Sequence, residues 1–283
     1  MNRQSSFDNG QPTLYLVPTP IGNLDEMTPR AIEVLKSADV IACEDTRNSG
    51  LLLQRFGIKN RLVAYENFNE VSSCKGLIKL LEEGKDIALI SDAGYPLIND
   101  PGQRIVTEAT KMGFNVVPLS GCNAMLNALV ASGLIVQPFI FIGFLPAHKN
   151  DRIRKLREYE HYPMTMVFYE APHRLSKCLE DCQEVLGNRQ CCLARELTKL
   201  HEEFIRGTIS EIREIADTLK GEMVLVIEGK PEEVLHLDND YILNMVNERI
   251  AEGMSTSEAA KAVAHQTGMS KNEVYQLVHR KGN

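Results

Sequence analysis

Short apolar runs alternate with longer amphipathic stretches along most of this chain. Thr13 to Val17, Asp39 to Ala42, Arg61 to Tyr65, Asp86 to Ile90 and Asn115 to Pro118 read as strands. Thr28 offers an N-cap to a helix with Pro29 at its first position, and Ala31, Ile32, Val34 and Leu35 supply its apolar face. Further helices are predicted over Asn48 to Phe56, Val71 to Glu83 and Pro101 to Met112, closed by Gly57, Gly84 and Gly113. Strands alternating with helices of this length argue for a parallel sheet built from right-handed crossovers.

A hinge is expected at Leu134 to Pro138, after a helix that follows the Ser120 loop and ends at Gly133. A second set of elements then begins with Phe139 to Phe144, a basic helix from Asp151 to Glu160 and a β-rich run from Met164 to Tyr169. A helix stopping at Gly187, a strand at Cys191 to Ala194, a hairpin arm at Phe204 to Thr208 and a closing strand at Glu222 to Glu228 complete a mixed sheet. From Leu237 onward the pattern is helical only. Ser255 with Glu258 and Ser270 with Glu273 read as two capping boxes around Thr267-Gly268-Met269, which suggests either a helix-turn-helix or a helical packing module. The fold class is therefore α/β, with two α/β domains and a C-terminal helical module. The boundaries read as a loose tail over 1–11, domains over 12–135 and 136–234, and the module over 235–283.

Composition narrows the class of protein. With 283 residues, 43% of them hydrophobic, the chain can bury more than one core. The first eleven residues lack the apolar segment of an export signal, and the apolar stretch Leu134 to Leu145 is broken by Gln137 and Pro138, too short to span a bilayer. A cytoplasmic protein is expected. A formal charge of -7 argues against indiscriminate coating of nucleic acid but leaves room for a local basic patch. None of the seven cysteines forms a C-x-x-C pair, and no zinc spacing occurs, so reduced core cysteines and no metal are expected.

The chemistry concentrates where strands end. Ala88-Leu89-Ile90 stops abruptly at Ser91-Asp92-Ala93-Gly94, and Tyr95-Pro96 forces the chain to continue extended. Loops at the carboxyl ends of parallel strands are ligand sites in open α/β sheets, although Asp92 could equally serve only to bond its own turn. Pro118-Leu119-Ser120-Gly121 is a second small-residue loop, in which Ser120 could also cap a helix. Small residues allow backbone to approach a ligand, and a carboxylate accepts hydroxyl hydrogen bonds or attracts a cation. Lying side by side, the two loops would suit an adenosine-type cofactor without phosphate. Walker and nucleophile-elbow motifs are absent, which disfavours phosphoryl transfer and hydrolysis. Ionisable residues gather at other strand ends: Glu44, Asp45 and Arg47; Glu170; and Arg195, Glu196 and Lys199. Arg152, Arg154, Lys155 and Arg157 on the basic helix, with Lys271, Arg280 and Lys281 in the tail, could grip phosphates.

The runs LYLVPTPIGNLDEMTPRAIEVLKSADVIACEDTR, SDAGYPLINDPG, FYEAPHR, ARELTKLHEEFIRGT and GEMVLVIEG, in this order, span about Leu14 to Gly229. They resemble the small-subunit (16S) ribosomal RNA cytidine-2′-O-methyltransferase branch of the tetrapyrrole methylase superfamily. The resemblance implies two α/β domains with S-adenosylmethionine in the cleft between them, and a homodimer acting on small-subunit ribosomal RNA. It places the cofactor against Ser91, Asp92, Ala93, Gly94, Ser120, Gly121, Tyr169, Met223 and Val224. Ser91-Asp92-Ala93-Gly94 stands where the wider superfamily has roughly Gly-Gly-Asp-Pro, so individual hydrogen bonds do not transfer directly. The expected reaction is methyl displacement from a sulfonium by a ribose 2′-hydroxyl, with Lys199, Asp45, Arg47, Glu170 and Glu196 as candidate catalytic groups and Lys199 as the favoured hydroxyl activator. A small-molecule tetrapyrrole methylase, or a non-catalytic regulator that senses S-adenosylmethionine and binds nucleic acid, are the competing functions.

Overall fold

The central strands are short and apolar on both faces, and this determines how they are covered. In the computed structural model, which describes residues 3–5, 9–65, 70–231 and 238–280, β1 (Thr13–Leu16), β2 (Val40–Cys43), β3 (Leu62–Ala64), β4 (Ile87–Leu89) and β5 (Asn115–Pro118) form one sheet. Its order is β3-β2-β4-β1-β5 and every pairing is parallel. Val40 to Cys43 and Ile87 to Leu89 are buried throughout, as a parallel sheet covered on both sides requires. One face packs on α1 (Pro29–Ser37) and α2 (Thr46–Arg55) through Leu35, Ile41, Leu53 and Ala88. The other packs on α3 (Glu70–Glu82) and α4 (Gln103–Met112) through Leu77, Leu81, Ile87 and Ile105.

The second sheet comprises β6 (Phe139–Phe144), β7 (Thr165–Glu170), β8 (Gln190–Arg195), β9 (Glu203–Thr208) and β10 (Met223–Ile227) in the order β6-β7-β10-β8-β9. Only β6 and β7 are parallel, so the sheet is mixed as expected. Alternation along β7 and β10 sends Phe168 and Leu225 into a core with α7 (Pro172–Leu186) and α8 (Ile209–Ile215). Val167, Tyr169, Val224 and Val226 face the other way, against α5 (Ala124–Ala131). Helix α5 follows the last strand of the first sheet yet covers the second, and so joins the two.

Several sequence expectations shift. Strands β4 and β5 are not neighbours, because β1 lies between them. Helix α4 begins at Gln103 rather than Pro101, since Gly102 adopts φ 144 and a side chain there would run into Leu97 and Leu89. Asp45, not a later residue, caps α2, and Asn123 rather than Ser120 caps α5. Two described residues near the amino terminus are held to β5: Gln4 bonds the Val116 backbone through both its amide atoms, and Asn9 exchanges amide hydrogen bonds with Asn115.

By backbone contacts the chain divides at Lys230/Pro231, and the boundary expected at 234 lies outside the described residues. The second unit holds α9 (Asn239–Ala251), α10 (Thr256–Thr267) and α11 (Lys271–Arg280), packed through Ile242, Val246, Ala259, Ala260, Val263 and Val274. Ser255 with Glu258 and Ser270 with Glu273 form the two reciprocal caps, and Gly268 closes α10 at φ 72. Leu237 and Lys281 lie outside the described residues.

Arg152 departs most from its sequence reading. On α6 (Lys149–Arg157) its side chain is 5% exposed, donates from Nε to Asp181 Oδ2 at 2.6 Å and bonds the carbonyls of Pro146 and Ala147. It fastens α6 to α7 and is not available to a phosphate. Because removing one partner strands a buried charge, Arg152→Ala should lower unfolding free energy by about 3 kcal/mol. A urea titration followed by circular dichroism checks this; an unchanged midpoint would place Arg152 back on the surface.

Candidate active site

Loops at the ends of both sheets converge on one cleft. The loop after β1 sits between the loops after β4 and β5: Thr19 exchanges backbone hydrogen bonds with Gly94 at 2.9 Å, its hydroxyl donates to the Ser91 carbonyl, and Pro18 fills the space beside Gly121. From the second sheet come the ends of β7 and β8 and, because β10 runs antiparallel to both, the start of β10. The Asn23 N–H donates to Thr198 Oγ1 at 3.0 Å, and Gly22 leaves room for the Lys199 stem. Four non-glycine residues here have left-handed backbone, Leu97 and Asn99 on one side and Glu196 and Thr198 on the other. Such strain persists only where the surroundings enforce it. Asn99 is held where β6 bulges, its carboxamide packed against Gly143 at φ 76, with no room for a side chain between them.

The cleft encloses about 660 Å³. An apolar wall of Ile21, Ile98, Phe144, Tyr169, Met223 and Val224 faces carboxylates from both sheets. Tyr169 stacks edge-on between Phe141 and Phe144, with centroids at 5.0 and 5.6 Å. Burial pushes its phenol pKa up, partly offset by the Met125 N–H at the start of α5, with the Asp100 charge pushing the same way as burial.

The charged groups fall into distinct arrangements. Lys199 Nζ lies 3.0 Å from Glu196 Oε1 and 2.7 Å from Glu222 Oε2. Burial alone would lower its pKa, but Glu222 and Glu196 outweigh that and the net direction is up. It therefore stays an ammonium at neutral pH. Lys199 holds Glu196 below the usual carboxylate range, helped by the Glu222 N–H. Asp92 accepts from Asn48 Nδ2 at 2.9 Å, which ties the start of α2 to the cleft. Asp100, which the sequence reading did not single out, is pushed up to about 6 by burial and then by Glu44, with Asp92 adding to this and the Ser91 hydroxyl opposing it.

The predicted residues separate accordingly. Asp92, Ala93, Gly94, Tyr169, Met223, Val224, Glu196 and Lys199 line the cleft. Glu170 borders it, yet its carboxylate is 1% exposed, accepting from the Ala171 N–H and lying 3.3 Å from Arg174, because strand alternation turns it away from Tyr169 and toward α7. Ser91, Ser120 and Gly121 do not line it. Ser91 is buried with its hydroxyl turned into its own loop, Ser120 faces outward and Gly121 lies behind Pro18. Asp45 is spent as a helix cap and on its pair with Arg47, which holds its carboxyl down at about 2, and neither lines the cleft. Arg195 bonds Lys220 and Glu203 instead. Arg154, Lys155 and Arg157 stay on the outer side of α6, the first two paired with Asp151 and Glu158. Asp100 carries only one sequence signal, its place at the end of the loop begun by Asp92. Cys178 and Cys182 are both buried within α7, and among the described residues no group of three metal-ligating side chains forms.

The chain matches the family model described as Tetrapyrrole (Corrin/Porphyrin) Methylases over residues 13–213, and the RsmI C-terminal HTH domain over 246–281. It is 46% identical to ribosomal RNA small subunit methyltransferase I of Bacillus subtilis, covering 99% of each chain. With the Escherichia coli O157:H7 protein of the same name it shares 44% identity over 97% of each. The chain belongs to the ribosomal RNA small subunit methyltransferase I family, within the tetrapyrrole methylases. It is a methyltransferase. Diphthine synthase superposes with a TM-score of 0.59 at 15% identity, covering 77% of this chain and 90% of its own. Uroporphyrin-III C-methyltransferase of Thermus thermophilus gives 0.53 at 20%, covering 77% and 92%. Both report the shared fold.

Methyltransferases of this fold imply S-adenosylmethionine, and the donor set fits it. The carboxylate at Asp92 suits ribose hydroxyls and a cationic ligand, Gly94 presents backbone at φ 76, and the Tyr169, Met223 and Val224 wall suits a purine.

A raised pKa also carries a stability signature. Between pH 3.8 and about 6 the folded protein holds the Asp100 proton more tightly than the unfolded chain, so stability falls as pH rises through that window. Allowing for the solvent that reaches this half-buried carboxyl, Asp100→Asn should recover about 1 kcal/mol and raise Tm by about 2 °C at pH 8. The gap to the parent should close toward pH 4 in calorimetric scans across pH.

Proposed function

We propose that this protein transfers a methyl group from S-adenosylmethionine to the ribose 2′-hydroxyl of a cytidine in small-subunit ribosomal RNA. The observation that carries the reading is an ammonium, Lys199, held between Glu196 and Glu222 on the rim of a cleft whose other wall presents Asp92 and Asp100. When bound, S-adenosylmethionine supplies an electrophilic methyl on a sulfonium that leaves as a neutral thioether. The names of the relatives support ribosomal RNA as the acceptor.

In this reading Asp92 and the backbone of Ala93 and Gly94 hold the polar part of the cofactor, and Tyr169, Met223 and Val224 its base. Lys199 donates to the acceptor oxygen and stabilises the negative charge that develops there. As an ammonium it cannot also take the proton, so its role is electrostatic rather than basic. Arg154, Lys155 and Arg157 lie on the outer side of α6, where they contact phosphates. The protein acts in the cytoplasm as a homodimer, a reading supported by exposed apolar side chains at Leu126, Val130, Ile135 and Val136.

Transfer of labelled methyl to isolated small ribosomal subunits, with the label mapped by mass spectrometry to a 2′-O-methylcytidine, tests the function. Label in a tetrapyrrole and none in RNA would overturn it. Asp92→Ala should weaken S-adenosylmethionine binding about tenfold or more in calorimetry, and parental affinity would return Asp92 to a turn role. Lys199→Ala should lower kcat about a hundredfold with cofactor affinity nearly intact; unchanged turnover would remove Lys199 from the chemistry.

A further inference from the structure

Five carboxylates border the cleft: Asp92, Asp100, Glu170, Glu196 and Glu222. Four are already held by N–H donors. Asp92 accepts from Asn48, Glu170 from the Ala171 backbone, Glu196 from Lys199 and the Glu222 backbone, and Glu222 from Lys199. Asp100 differs. Its polar neighbour is the Ser91 hydroxyl, and among the described residues the charged and titratable groups facing it are Glu44 from the end of β2, Asp92 from the end of β4 and Tyr169 from β7, none of them a cation.

We infer that Asp100 accepts the proton of the acceptor hydroxyl during methyl transfer, an inference that rests on the function proposed above. A carboxylate without a cation beside it keeps its lone pairs for a hydroxyl, and burial, reinforced by two nearby negative charges, makes it more basic than an ordinary one. With its pKa pushed up to about 6, it is largely ionised at neutral pH while approaching the strength a general base needs. The pKa of Lys199 is raised as well, by Glu222 and Glu196 against burial, and there the result is a permanent ammonium. Environments that separate two groups in this manner divide electrostatic and basic work between them. The step balances: the hydroxyl oxygen gains the methyl and loses its proton, Asp100 takes that proton to become a neutral carboxyl, and the carboxyl returns it to solvent before the next turnover. The surroundings also fix the group in place. Asp100 follows Leu97 and Asn99, both in left-handed backbone, with Asn99 seated against Gly143, and it precedes Pro101 and the conformationally special Gly102.

The test compares parent and Asp100→Asn, which keeps the side-chain shape, on intact small ribosomal subunits. The parent should show log(kcat/KM) rising with unit slope to pH about 6 and then levelling, and Asp100→Asn should lose that limb along with about a hundredfold or more in kcat. Its S-adenosylmethionine Kd by calorimetry should stay within about tenfold of the parent. Independently of activity, carbon-13 NMR of aspartate-labelled protein should show one carboxyl titrating near pH 6 that is missing from the variant. Parental turnover in Asp100→Asn, or a pH limb that survives the substitution, would overturn the inference. A larger loss of cofactor affinity would overturn it too, by making Asp100 a cofactor ligand. If the parent itself transfers no methyl to RNA, the proposed function fails instead, and the NMR titration alone then reports on Asp100.

Discussion

Everything about the cleft depends on one apolar contact, helix α5 laid on the second sheet. Met125, Ala128 and Leu129 bury themselves against Val167, Val224 and Val226, with Leu197 closing the edge. Small residues at 124 and 128 let the helix approach closely. Because α5 is covalently continuous with β5, this contact brings the strand ends of the first sheet opposite those of the second. Burying apolar surface is non-directional, but a helix packed on a pleated face has few ways to sit, so the loops are held at a defined separation. Tyr169 packs into the same contact, and the Met125 N–H at the start of the helix favours its ionised form against the effect of burial.

Within that frame, the loop after β1 organises the first wall. It runs between the β4 and β5 loops and bonds Gly94 directly, so the segment from Asp92 to Gly102 is held from both sides. The strain at Leu97 and Asn99, and at Glu196 and Thr198 across the cleft, is concentrated where side chains must be aimed rather than where the cores are filled. The consequence is electrostatic. Lys199 is flanked by carboxylates and held cationic, whereas Asp100 is held back from ionising by burial and, in the same sense, by the carboxylates of Glu44 and Asp92. The same kind of neighbour drives an ammonium and a carboxyl in the same direction on the pH scale and thereby into different roles.

Arg152 and Glu170 show how charged residues can be claimed by the scaffold. Each belongs to a cluster that looked chemically suggestive, and each points into packing, Arg152 between α6 and α7 and Glu170 between β7 and α7, where an unpaired charge would be costly. Arg152 finds Asp181 and two carbonyls, and Glu170 finds the start of α7. What distinguishes Arg152 from Arg154 is only the face of α6 on which it stands.

The strands, most helices and the change to an all-helical tail were legible in the sequence, because periods of 2 and 3.6 and capping residues such as Thr28, Ser255 and Ser270 are local properties of the chain. So was the half of the site carried by motifs that end strands: Asp92 to Gly94, Tyr169, Glu196 and Lys199. Strand order was not, and it separated Ser120 and Gly121 from the cleft by inserting β1 where adjacency of β4 and β5 had been expected. Nor was the side-chain direction of Arg152 or Glu170, which depends on which helix covers which face. Asp100 lay one loop beyond the residues that attracted notice, and its basicity comes first from burial and then from Glu44 and Asp92, which stand at the ends of the paired strands β2 and β4. A local sequence determines what an element is and where it stops; which charges share a low-dielectric space is decided only when distant strand ends meet.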